Sequence, residues 1–429
     1  MRSFAEKMMM FVVGTIMSLY YFPVNFTFLP PSLNSKMILA VIGLAWYFLN
    51  MVKSHKAEVG KGLLWSIVWA CVFSWLCFYS AIYNATYDYT YATYFTSFFV
   101  WLFGAYATCE CIRGMHGRVS LKLLAGYLVA VAFAQCVLAL MIDASPGFES
   151  LVNRIFVLGS DFLKEKHRLY GIGAALDPAG CRFSVILILL AHLLAKDVRI
   201  RRHNWSITWY ITAFLFISVV GNMISRTTTV GMVLAVVYFA VATYFARDDE
   251  DRGPSRIGLI LITMLVVGFI ALSYFYNTSP TFHKNLRFAF EGFFNWMETG
   301  VWRTDSTDKL NAVMWIWPKT REAWIWGTGL FGGFIYSTDI GYCRFILYCG
   351  VVGFSAFCMF FIENAWVLGK QHSSLRLLAL FLLILTFAIW IKVATDIFLI
   401  YALLHHLDPD EVVEELEAQE DEDEDDELQ

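Results

Sequence analysis

The chain has 429 residues, of which 58% are hydrophobic, 17% aromatic and only 16% charged, against roughly a quarter charged in an average soluble domain. Mean hydropathy is +0.58, and apolar runs of about 20 residues recur along nearly the whole length, which excludes a soluble globular protein and, without short alternating segments, a β-barrel. The net charge of −4 conceals a division: 14 of the 36 acidic residues crowd the stretch from Asp408 to Gln429, so the body carries 32 basic against 22 acidic residues.

These features predict an all-α polytopic membrane protein of about twelve spans over residues 1–407. In order the runs are Met8 to Phe22, Met37 to Val52, Leu63 to Ile82, Tyr91 to Cys109, Leu121 to Ile142, Arg182 to Leu194, Ile207 to Met223, Val230 to Phe245, Ile257 to Tyr274 and Ile340 to Leu368. The first run lacks a small-residue cleavage pattern and is read as a span, not a signal peptide. The last block, Leu375 to Leu407, is interrupted by Lys392 and Asp396 and is read as two short spans with a turn at Lys392. Nine cysteines fall mostly inside apolar runs, so neither a disulfide framework nor a metal site is expected, and no cofactor.

Basic residues alternate between loops. Lys53, Lys56 and Lys61, then Arg113, Arg118 and Lys122, then Lys196, Arg199, Arg201 and Arg202, then Arg247, Arg252 and Arg256, then Lys370 and Arg376 mark the cytoplasmic side. The opposite short loops are poor in such residues, with Lys36 almost alone, so two long segments, 143–181 and 276–339, are expected outside. Twelve spans place both termini in the cytoplasm; eleven would put the tail outside. Residues 408–429 read as an acidic disordered tail.

In the first external segment, Leu151, Val152, Ile155, Phe156, Leu158, Phe162 and Leu163 recur at helical spacing and predict an amphipathic helix on the membrane surface. It delivers Lys164, Lys166, His167 and Arg168 to Gly171-Ile172-Gly173, Asp177-Pro178 and then Arg182. Arg168 fits an interface anchor as well as a ligand contact. Arg182 either pairs privately with Asp177 or faces a cavity or ligand, since an arginine in the bilayer costs at least about 2.5–3.5 kcal/mol. A second arginine, Arg226, stands in a polar turn with Ser225, Thr227, Thr228 and Thr229 and has no carboxylate within ten residues. Such a turn is either a satisfied hairpin or a phosphate site built from hydroxyls and a guanidinium fork.

The second external segment is dense with tryptophan and phenylalanine, which suit an interfacial belt. Its charged members Arg287, Arg303, Asp305, Asp308, Lys309, Lys319, Arg321 and Glu322 lead to Asp339, Tyr342 and Arg344 at a helix entrance. Asp339 reads either as a helix cap or as a base for a hydroxyl that reaches it.

Four stretches together resemble the O-antigen polymerase and O-antigen ligase superfamily of bacterial inner-membrane glycosyltransferases. They are FPVNFTFLPPSLNSKMILAVIGLAWYFL, HRLYGIGAALDPAG, SRTTTVG, and TGVWRTDSTDKL to IWGTGLFGG followed by STDIGYCRFILYCGVVGF. The resemblance implies a GT-C-like membrane fold with a long external loop between spans 9 and 10. It also implies an undecaprenyl-pyrophosphate-linked glycan as donor, used at the periplasmic face without a metal. Partners would be those lipid-linked glycans, the bilayer and a chain-length regulator, with no nucleic acid. Where ligases of the superfamily carry a histidine followed by asparagine, this chain has Thr338-Asp339-Ile340-Gly341-Tyr342, which is more polymerase-like. The implied roles are Arg168 and Arg226 on the pyrophosphate and Asp339 on the acceptor hydroxyl, with His167 and His283 as weaker candidate bases. Arg182, Arg344, Tyr342, Ser225, Thr227, Arg303 and Arg321 would contact substrate. The alternatives are a ligase that transfers glycan to lipid A core and, in a different class, a polysaccharide transporter or flippase. The expected geometry is one cavity lined by Arg168, Arg226 and Asp339.

Overall fold

The computed structural model describes residues 4–55, 61–159, 163, 168–245, 253–410 and 412–413. Among these, eighteen α-helices, three short 3-10 or π turns and one two-residue strand pair make up the regular structure. Each expected apolar run lies on a helix: α1 Phe4–Tyr21, α2 Ser35–Ser54, α3 Lys61–Tyr83, α4 Tyr94–His116 and α5 Leu121–Ala144 open the chain. After α6 Pro146–Ile155 come α7 Leu176–Lys196, the short α8 Val198–Arg202, α9 Asn204–Ile224, α10 Thr228–Phe245 and α11 Gly253–Thr278. Eight of the described helices are long and apolar enough to cross a membrane, which makes this a multi-pass helical membrane protein by length and composition.

Helix α7 is the axis of the bundle. Nearly every residue from Ala179 to Ala195 is buried, which is what an apolar-all-round helix requires. It packs against α5, α9 and α10. Contact with α10 is close because Gly231 has no side chain: a Cβ there would stand 2.1 Å from the Cα of Ser184. Helix α11 is the opposite case, with Ile262, Phe269 and Ile270 exposed, an apolar face of the kind that meets a membrane or a partner.

The expected surface helix over Leu151 to Leu163 is shorter than its periodicity predicts. It ends at Ile155, and Phe156–Val157 (β2) pairs antiparallel with Asn25–Phe26 (β1) from the first loop. A β-branched and aromatic run beside a free edge prefers strand pairing to another helical turn. Leu163 is buried; Phe162, Lys164, Lys166 and His167 lie outside the described residues, as do Glu411 and the tail from Glu414 onward.

The long segment after α11 is folded. It forms α12 Pro280–Ala289, α13 Glu291–Thr299, α14 Asp305–Lys309, one wide turn Leu310–Met314 and α15 Arg321–Trp326. Helix α16, Gly341–Gln371, follows and is broken at Gly350, whose φ of 67° lies in the left-handed region that glycine adopts freely. A Cβ at Gly350 would meet the Ile325 carbonyl oxygen at 2.1 Å, so this glycine lets α15 seat against α16.

The final block is a hairpin. Helices α17 Arg376–Ile389 and α18 Phe398–Leu404 are joined by the non-helical stretch 390–397. Its open ends meet where His372 Nδ1 contacts Asp410 Oδ1 at 2.8 Å, and Asp408 accepts from the Val119 amide and from Arg113, both at 2.7 Å. Fourteen residues of helix rise only about 21 Å, short of the roughly 30 Å of a hydrocarbon core. The closed end is partly buried, with Trp390 and Ile397 covered and Ile391 exposed, and its irregular backbone is tolerated because protein groups satisfy it. Tyr342 does much of this: its amide donates to the Trp390 carbonyl (3.1 Å) and its hydroxyl to the Phe387 carbonyl (2.9 Å).

Candidate functional site

The closed end of the α17–α18 hairpin, the start of α7, the α9–α10 turn and the α12–α13 junction converge on a chain of charged side chains. The start of α7 is held by two local features. Gly173 takes φ 77°, and a Cβ there would stand 2.5 Å from the Phe22 carbonyl oxygen. Leu176 also has a positive φ, 56°, a costly conformation for a bulky residue that persists only where surroundings enforce it. Asp177 comes next.

Asp177 is a hub. Its Oδ1 accepts from Ser225 Oγ (2.8 Å) and Thr227 Oγ1 (2.9 Å), and Lys392 Nζ from the hairpin lies 3.6 Å away. The private pair between Asp177 and Arg182 is not formed: Lys392 and two hydroxyls have taken the carboxylate. Ser225 and Thr227 thus stabilise Asp177 instead of facing the Arg226 guanidinium.

Arg168 and Arg226 meet at one ring. Their Cζ atoms lie 5.5 and 4.1 Å from the centroid of Phe288 on α12, within the reach of a cation–π contact. Arg226 is further held by Glu291 Oε2 at 2.6 Å and Ser306 Oγ at 3.2 Å, both from its Nη1. Its Nε is buried with no hydrogen-bond partner among the described residues. Burial lowers the Arg226 guanidinium from its ordinary value against the opposing pull of Glu291, yet arginine stays charged at any working pH. Arg168 also borders a cavity of about 600 Å³ with Lys284, Asn285, Tyr170, Glu149 and Asp143, a size suited to a small ligand.

Deeper in the bundle, Lys36 at the start of α2 lies 4.6 Å from the Trp101 ring centroid, and Arg182 lies 5.9 Å from that of Phe22. Asp396 on the hairpin is the carboxylate in electrostatic reach of both, and it also accepts from the Phe398 amide at 2.9 Å. Asp177 and Arg182 stand five positions apart on α7, so the deep group and the Asp177 hub share that helix.

Asp339 is exposed beside Arg344. It is not the cap of α16, since that position is Ile340. No hydrogen bond or ion pair among the described residues joins Asp339 to Arg168 or Arg226, so the structure brings together two of the three expected cavity residues and groups the third with Arg344. Arg344 lies 4.0 Å from the Phe331 ring and donates to the Phe331 carbonyl at 2.8 Å. Asp88 fixes that loop by accepting from the amides of Phe331 (2.6 Å) and Gly332 (2.5 Å). Burial raises the Asp88 carboxyl, but hydrogen bonds from Thr90, Gly332 and Phe331 outweigh it and hold the group below its ordinary value.

The remaining candidates sit apart. Arg303 pairs with Asp308 on the surface, and Arg321 is exposed at the start of α15. His283 stacks on Tyr276, with ring centroids 4.0 Å apart. Sequence reasoning passed over Lys36, Phe288 and Glu291, whose roles depend on contacts between distant segments. Lys392 and Asp396 did carry a signal, as charges four residues apart in an apolar block, but it pointed to a turn.

Comparison with protein families, with curated proteins and with solved structures finds no match for this chain.

Proposed function

We propose that the chain is a membrane glycosyltransferase that polymerises surface-polysaccharide repeat units from undecaprenyl-pyrophosphate-linked donors at the outer face of the inner membrane. The observation that carries this reading is the convergence of Arg168 and Arg226, 58 positions apart in the chain, on the single ring of Phe288. The resemblance of the four sequence stretches to the O-antigen polymerase and ligase superfamily supplies the reaction class.

The chemistry follows from the groups present. A hydroxyl of the acceptor sugar attacks the anomeric carbon of the donor; the glycosidic bond forms as the bond to the pyrophosphate oxygen breaks, and the electron pair leaves with undecaprenyl pyrophosphate. Fixed guanidinium groups stabilise that developing charge by charge-assisted hydrogen bonds in a partly desolvated site. Asp339, which stands apart from the two arginines beside Arg344, would take the proton of the acceptor hydroxyl once the outer segment carries it to the donor. The cavity next to Arg168 has room for a sugar at the reacting end.

Lipid-linked intermediates extracted from a deletion strain test the reading. Loss of a polymerase leaves single repeats on the lipid carrier. Accumulation of long lipid-linked chains would instead identify a ligase, which the aspartate at 339 in place of a ligase-type histidine disfavours.

A further inference from the structure

The cavity of about 600 Å³ beside Arg168 is lined by polar groups from two sides of the fold. Asp143, at the end of α5, and Glu149, on α6, form one wall; Thr281, Lys284 and Asn285, on α12, form another. Glu149 is fixed in place, because Tyr170 donates to its Oε1 at 2.6 Å and both residues are buried. Asp143 and Lys284 are exposed, and neither they nor Thr281 and Asn285 make a side-chain hydrogen bond or ion pair among the described residues. Acceptors and donors lining one space suit a polyhydroxylated ring, since each hydroxyl both donates and accepts. A polyprenyl tail would leave these groups unpaired, and the two carboxylates would repel a diphosphate.

The alignment of α12 connects this cavity to the arginines. Thr281, Lys284, Asn285 and Phe288 recur at helical spacing and so share one face. The first three border the cavity, and the fourth is the ring at which Arg168 and Arg226 meet. Thr281 and Phe288 lie about 10 Å apart along the helix axis, and Arg168 takes part at both ends of that path.

We infer that this cavity seats the sugar next to the diphosphate of the lipid-linked donor, with Asp143 and Lys284 as the side chains that read its hydroxyls. The inference rests on the reading of Arg168 and Arg226 as a pyrophosphate clamp, and it adds a direction. From the clamp at Phe288 the glycan runs back along α12 towards Thr281, between that helix and the α5–α6 corner. Thr281 and Asn285 supply further hydrogen-bonding groups, and Ile142 and Leu169 cover the carbon face of the ring.

Binding to the full-length protein in lipid nanodiscs tests this with two probes, the lipid-linked repeat units of a deletion strain and bare undecaprenyl pyrophosphate. The unaltered protein should bind the repeat-bearing lipid tighter by about tenfold or more, the worth of one or two hydrogen bonds to charged groups. D143A and K284M should each cut that preference to about threefold or less, with bare-lipid affinity changed by less than about twofold, whereas R168A should weaken both probes. Equal binding of the two lipids by the unaltered protein, or an undiminished preference in D143A and K284M, overturns the sugar seat and leaves the arginine clamp standing. Failure of the unaltered protein to bind either lipid removes the clamp, and the seat's premise with it. Should either variant not fold, amine acylation of the unaltered protein, read at Lys284, decides: the repeat-bearing lipid should shield this residue and the bare lipid should not. Equal acylation under both lipids contradicts the seat.

Discussion

Arg168 and Arg226 are held at a common ring, with guanidinium carbons 5.5 and 4.1 Å from the centroid of Phe288. One aromatic side chain on α12 therefore positions two cations that arrive from separate loops. Each such contact is worth about 0.5–2 kcal/mol. Phe288→Ala should reduce chain extension roughly 5- to 30-fold while Phe288→Tyr stays near normal. Assays on membranes supplied with lipid-linked repeats check this, and equal activity in both variants would remove the ring from the account.

Arg226→Ala and Arg168→Ala should abolish extension in protein that still inserts and folds. Lysine at either position should restore only part of the activity, because a point charge lacks the planar fork. Arg226→Lys keeps one charged contact to Glu291 but cannot also reach Ser306 in the same geometry. Product ladders from the four variants, compared at equal protein level, measure the difference.

Asp177 and Lys392 join the start of α7 to the closed end of the hairpin at 3.6 Å. Residues in one ion-pair network couple by about 0.5–3 kcal/mol. Asp177→Asn and Lys392→Met should each lower the unfolding temperature, and the double variant should lose less than the two single losses combined. A double-mutant cycle on detergent-solubilised protein reads the coupling; strict additivity would show that the pair is not an interaction.

Asp88 anchors the loop that carries Phe331. Its folded carboxyl lies below the ordinary value, so the unfolded state binds its proton first as pH falls. The stabilisation is therefore complete above the unfolded value, near pH 4, and is lost as pH falls through the folded one. Proteolysis of the 327–336 stretch should rise in acid below about pH 4, and Asp88→Asn should show the raised rate at neutral pH. The variant should cost about 1–3 kcal/mol, as expected for weakened acceptance of two amides.

Apolar length made most of the helices legible: each expected run from Met8 to Leu368 lies on one. The final block was readable as two short segments but not as a recessed hairpin, because its depth is set by the Tyr342 bonds to Phe387 and Trp390. Arg226 stood out as a lone cation in a polar turn between apolar runs and Arg168 as the last of a basic cluster, whereas Phe288 was one phenylalanine among many. Ser225 and Thr227 were visible as hydroxyls, but their acceptor, Asp177, lies about 50 positions away in the chain. Glu291 was equally hidden: nothing near it in sequence marks it as the partner of Arg226, and only folding of the outer segment brings α13 there. Partner choice among charges is a tertiary property, so periodicity locates the charged residues without pairing them.

Chain extension by the purified protein is the most direct test of the central claim. In nanodiscs supplied with undecaprenyl-pyrophosphate-linked repeat units, the account predicts a ladder of longer glycans still attached to the lipid carrier, lost in Arg168→Ala and Arg226→Ala. Substrate that stays one repeat long but crosses the bilayer of liposomes containing the same protein would contradict it.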